Sequence, residues 1–84
     1  MIKQLLDKIA EFLNDRDADA LGFSSEVEDY LVEAYDKMMK EDAAVTYLMN
    51  ENLPDICAAY EVGMDISEFK RQIEAEYNLI LQLL

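Results

Sequence analysis

The apolar positions along this chain fall into stripes at helical spacing. Ile2, Leu5, Leu6, Ile9, Phe12 and Leu13 recur at i, i+3, i+4 and i+7, the period that puts side chains on one face of a helix. The spacing predicts a helix over residues 2–14. The pattern breaks over residues 15–24, where Gly22 marks a turn. Ser25 opens a second run of Val27, Tyr30, Leu31, Ala34 and Met38 that ends near Glu41. Ser25 and Glu28 have the spacing of a capping box, in which each side chain satisfies an orphan backbone N–H of the first turn. Asp42 is placed to cap a third helix holding Val45, Leu48 and Met49, ended by Asn50-Glu51-Asn52. Pro54 suits the first turn of a fourth, where its missing N–H does no harm. That helix runs through Ile56, Ala59 and Tyr60 and stops at Gly63. Asp65, with Glu68 three residues on, caps the last, whose stripe is Ile66, Phe69, Ile73, Tyr77, Ile80 and Leu84. The expectation is an all-α fold: one compact bundle of four to five short helices spanning residues 1–84.

The end of the last helix, Leu79-Ile80-Leu81-Gln82-Leu83-Leu84, is apolar on nearly every face. Such a segment must be covered on both sides. The sequence thus predicts either a central position in the bundle or a homodimer seam. No apolar run reaches the roughly 18 residues of a membrane span, and Asp7, Lys8 and Glu11 interrupt any signal-peptide core. A cytoplasmic protein is expected. Cys57 is the only cysteine, which excludes an internal disulfide and a cysteine-based zinc site. Its neighbours Ile56, Ala58 and Ala59 predict a small buried thiol.

Charge changes the picture most. Nineteen acidic residues stand against seven basic ones, a formal net charge of −12, beyond the magnitude of roughly 2–8 that keeps a small domain soluble. Such a surface repels itself; it either steers the chain toward a basic partner or serves solubility alone as an ordinary solvated face. Glu26, Asp29, Glu33 and Asp36 fall at i, i+3, i+7 and i+10, an acidic row on the second helix. Lys37 and Lys40 follow Glu33 and Asp36 by four residues and partly offset it. Asp15, Asp17 and Asp19 add charge in the preceding loop. Tyr35 and Tyr47 fit the apolar stripes less well than the other aromatics and are candidate interface anchors.

Two further constellations carry alternatives. Residues 15–26 place acids at loop positions 1, 3, 5 and 12, which resembles an EF-hand calcium loop. They depart from it where Ala20 replaces the turn glycine and Gly22 the branched apolar residue. In residues 54–74, Ala59 has the place of a small crossing residue, Val62 and Met64 flank the turn glycine Gly63, and Phe69 and Ile73 have the place of core anchors. This segment resembles a generic helix-turn-helix. The resemblance implies a DNA-reading second helix, presenting Ser67, Lys70 and Arg71 to the major groove of a site bound as a dimer. Residues 63–84 nevertheless hold two basic against four acidic residues, the wrong balance for a phosphate backbone.

Catalytic chemistry has little to build on. Without histidine there is no ready proton shuttle near neutral pH, and no glycine-rich phosphate loop occurs. No catalytic residue, metal or cofactor is expected. The size and acidity are also similar to those of acyl carrier proteins, but the Asp-Ser-Leu triplet of that family is missing, since Asp65-Ile66-Ser67 separates Asp from Ser. The reading is a small, non-enzymatic regulator or inhibitor of the bacterial or phage type. Its acidic face, Glu26, Asp29, Glu33 and Asp36 with Asp15, Asp17 and Asp19, engages a basic protein surface, such as that of a nucleic-acid-binding protein, or imitates a nucleic-acid backbone. It acts as a monomer or as a homodimer through the apolar C-terminal helix. The alternatives are a dimeric helix-turn-helix transcription regulator and a calcium-binding helix pair.

Overall fold

A computed structural model describes residues 1–61 and 63–84; Val62, which the sequence places beside the Gly63 turn, lies outside them. The described residues form α1 (Ile2–Asn14), α2 (Ala20–Glu41), α3 (Ala43–Ala59) and α4 (Ile66–Leu83). The principal contacts run α1–α2, α2–α3, α3–α4 and α4–α1. The helices therefore make a ring in which α2 and α4 occupy opposite corners, within 37 × 23 × 18 Å.

The core is the sum of the predicted stripes. Leu5 and Ile9 of α1, Leu31 and Met38 of α2, Val45, Met49 and Leu53 of α3, and Ile73 and Ile80 of α4 are almost wholly removed from water. One end of the bundle is closed by aromatics. Phe12 and Phe23 stack with ring centroids 3.9 Å apart, Phe69 meets Phe12 edge-on at 5.7 Å, and Tyr60 lies 5.0 Å from Phe69. These rings tie the last turn of α1 to the first turns of α2 and α4. At the other end, the Tyr30 hydroxyl donates to the Met1 carbonyl (2.6 Å), and Glu41 accepts from the Ile2 N–H (3.1 Å).

Two boundaries differ from the sequence reading. α2 begins at Ala20, so Ser25 lies inside it and the capping box with Glu28 does not form. Asp19 is the cap: its Oδ1 accepts from the Gly22 N–H at 3.1 Å. Gly22 is a helix residue rather than a turn. A Cβ there would stand 2.6 Å from Asp19 Oδ2, so glycine keeps room for the capping carboxylate. Burial of Ala20, Phe23 and Ser24 holds this first turn in place.

The second difference is Pro54. It starts no helix; α3 runs through it, so four helices replace the five-helix alternative. The buried stripe Val45, Met49, Leu53, Cys57 keeps its spacing of four across the proline, and packing overrides the local signal. The carbonyl that proline leaves without a donor is that of Asn50, an exposed residue open to water. Asp42, at the α2–α3 joint, caps as expected, with Oδ1 accepting from Val45 N–H at 3.1 Å.

The last helix is not central. Ile80 is fully buried, but Leu79, Leu81, Leu83 and Leu84 are 44–62% exposed, because α4 is a corner of the ring and its final turn reaches past the core. Cys57 is buried as expected. Burial raises its thiol pKa, and the Ser24 hydroxyl acts in the opposite sense. Among the described residues, no helix is long and apolar enough to cross a membrane.

Candidate acidic docking surface

α2 carries the acidic row because its inner face is fully committed. Phe23, Val27, Leu31, Ala34 and Met38 are buried, which turns Asp29, Glu33 and Asp36 to the opposite, solvent side. All three are exposed and belong to none of the ion pairs found among the described residues. Lys37 and Lys40 likewise close no bridge to them, so the offset expected from the spacing is one of proximity alone.

Glu26 does not join this row. It pairs with Lys8 of α1, and the bond holds the Lys8 ammonium pKa above its ordinary value. Glu26 instead lines a cleft of about 530 Å³ between the end of α1 and the start of α2, together with Glu11, Asp15, Asp19 and the edges of Phe12 and Phe23. The predicted acidic surface is therefore two surfaces. One is the outer row of Asp29, Glu33 and Asp36. The other is the cleft, which gathers Asp15, Asp19 and Glu26 and adds Glu11, a residue the sequence reading missed because only the α1–α2 packing brings it there. Two of the loop acids have structural work. Asp19 caps α2, and Asp15 Oδ1 accepts from the Asp17 N–H at 2.9 Å. Asp17 is exposed.

The calcium reading fails on backbone shape. Its last seven positions, Ala20 to Glu26, are helical, so they do not wrap a cation, and Glu26 is held by Lys8. Among the described residues, no group of three or more potential ligands is placed to hold a metal ion.

Two residues of the DNA-reading alternative, Lys70 and Arg71, are also engaged through their side chains, and exposed Ser67 through its backbone only. Lys70 donates to the Asp15 carbonyl and sits 5.5 Å from the Phe12 ring centroid, packed onto the end of α1. Arg71 bridges to Glu68 at 2.9 Å, and the Ser67 N–H donates to Asp65 Oδ1 at 2.9 Å. Phe69 and Ile73 are core anchors as expected, and Gly63 has a φ of +95°, the left-handed backbone that favours glycine. Ala59, however, is exposed and is not a crossing residue. Tyr60 meets Phe69 and Asn52 donates to Glu76 at 2.9 Å. Contacts that step back along α3 as they step forward along α4 describe an antiparallel helical hairpin.

Fold and surface together define a class: a small four-helix ring domain with an unpaired acidic row on one corner helix. No protein-family model matches the chain, no curated protein matches it significantly, and no solved structure does.

Proposed function

We propose that the protein is a small non-enzymatic regulator or inhibitor that docks the outer face of α2 onto a basic surface of a partner protein. The observation that carries this reading is the row Asp29, Glu33 and Asp36, exposed and outside every ion pair among the described residues. Its like charges repel along the helix, and a basic partner relieves that repulsion while the net charge of −12 steers the encounter. The cleft carboxylates extend the field toward the start of α2. A single, buried Cys57 fits a reducing, cytoplasmic setting. DNA reading has no comparable support, because Lys70 and Arg71 already serve the fold and the local acid pair.

The test is paired capture from a nuclease-treated lysate with the wild-type protein and the Glu33→Lys/Asp36→Lys variant. A protein retained by the wild type at low salt, released at high salt and lost by the variant supports docking through this row. A set of captured proteins indifferent to the reversal refutes it.

A further inference from the structure

The acidic row has an apolar neighbour. Val32 is 81% exposed, the most of the large apolar side chains described as exposed, and Tyr47 is 61% exposed. Val32, Tyr35 and Met39 stand at i, i+3 and i+7 of α2, one line along the helix. Tyr35 and Met39 are half-buried but are not among the half-buried residues that pack against the core. Glu28, four residues before Val32, begins the same line and lies near enough to the Cys57 thiol of α3 to oppose its ionisation. The line therefore looks toward α3.

On α3, Tyr47, Asn50, Pro54 and Cys57 fall at i, i+3, i+7 and i+10, again one line. α2 and α3 pack against each other, and the row contains Cys57, whose ionisation Ser24 and Glu28 affect from α2. Counting along the two antiparallel helices from Ser24 and Cys57 brings Tyr47 level with Ala34, one residue from Tyr35. Two rows thus border one seam, and the α3 row carries no charge. The acids flank the other side: Asp29 and Asp36 stand three residues before and four after Val32.

We propose that the α2–α3 seam is a docking groove for a basic amphipathic helix, with Val32, Tyr35 and Tyr47 as its apolar anchor and Glu28, Asp29 and Asp36 as its acidic rim. The inference rests on the proposed acidic docking and adds the part that holds the partner. The occupant follows from complementarity. Apolar anchors inside a polar rim are the anatomy of protein recognition sites. A negative rim selects Lys and Arg on the flanks of the partner's apolar stripe, and a groove between two helices matches a third. Val32 to Met39 spans about 10 Å, two turns of such a helix.

The experiment uses two labelled 18-residue peptides of one composition, Leu and Lys. In one, Leu recurs at i, i+3, i+4 and i+7; in the other the order is scrambled so that no apolar stripe forms. Fluorescence anisotropy measures binding to the full chain at low and at high salt. The striped peptide is expected to bind about tenfold more tightly than the scrambled one. Val32→Ser and Tyr47→Ser each weaken it about fivefold or more, at both salt levels. Leu79→Ser, at an exposed leucine on α4 far from the seam in sequence, changes nothing. All three side chains are exposed, and unchanged thermal melts check that the variants fold. Equal binding of the two peptides, no binding of either, or indifference to Val32→Ser and Tyr47→Ser overturns the groove. A dimer in sedimentation that Val32→Ser dissociates also overturns it, since a second copy would then hold the seam. The two readings fail separately. If Glu33→Lys/Asp36→Lys weakens both peptides equally while the seam variants do nothing, acidic docking stands and the groove falls. If the seam variants act and the reversal does not, the apolar anchor stands, while charge-led docking and the Asp36 part of the rim fall.

Discussion

Replacing Pro54 by Ala separates the two ways of reading the middle of this chain. If α3 is continuous through position 54, the proline sits in a helix interior, where it is about 3 kcal/mol less favourable than alanine. Part of that gain is offset. Alanine frees the unfolded chain, which costs roughly 0.4–1 kcal/mol. The half-buried ring also takes with it apolar contact worth about 0.5–1 kcal/mol. The exposed Asn50 carbonyl is hydrated in the wild type, so the restored hydrogen bond gains less than a buried one. The net expectation is a stabilisation of about 1–2 kcal/mol. For a domain of this size that raises Tm by roughly 5–15 °C.

Thermal and urea unfolding followed by circular dichroism at 222 nm read this directly. If a new helix began at Pro54, the proline would be in its preferred first-turn position, and alanine would lower Tm. A Tm that falls or stays put therefore refutes the continuous helix. It would also remove the alignment of Tyr47 with Pro54 and Cys57 on which the seam depends.

Three further predictions follow from the packing and the caps. Ile73→Ala removes a fully buried side chain and costs about 2–5 kcal/mol, a large share of the roughly 4–13 kcal/mol available to a chain this long; the urea midpoint should fall sharply or the protein should be unfolded. Asp42→Ala removes the cap on the Val45 N–H and costs about 1 kcal/mol, read as a smaller drop in the same midpoint. Burial raises the folded Cys57 pKa, so the unfolded thiol ionises first as pH rises through about 8.5. The thiol's contribution to stability is full below that point and is lost as pH climbs through the folded value, and Tyr30, raised chiefly by burial, acts in the same direction at higher pH. Stability against urea should therefore fall above about pH 8.5, and alkylation of Cys57 at pH 8 should be slower in the native protein than in urea.

The helices were legible because each buries one stripe, and the stripes of α1 and α4 survive unchanged into the core. What local pattern misjudged were positions where tertiary packing outbids propensity. Gly22 and Pro54 read as breaks, yet Phe23 on one side and Leu53 and Cys57 on the other keep their helices going. The acidic row was legible as spacing on α2. Its division was not, because Glu26 leaves the row only on account of Lys8, a residue 18 positions away. Val32 was visible in principle: it stands on the line of Asp29 and Asp36, where an apolar residue has no core to serve. Tyr35 and Tyr47 stood out by fitting the stripes poorly, while their common seam needed the α2–α3 pairing.

The distances along α2 decide what each group of acids is able to do. Asp29 and Asp36 lie within one turn of Val32, about 5–6 Å between Cβ atoms. This is less than the Debye length of about 8 Å at physiological ionic strength, so in the proposed docking they would act on a partner already seated over the seam. Asp19, thirteen residues before Val32, lies about 20 Å away along the helix, beyond two Debye lengths. Asp15 and Asp17 precede it in the chain. Their field reaches a seated helix only when salt is low, although it adds to the long-range potential that guides approach. Under the proposed docking, acids near the seam would therefore bear on the lifetime of a complex as well as on its formation, whereas the loop acids would bear on formation alone.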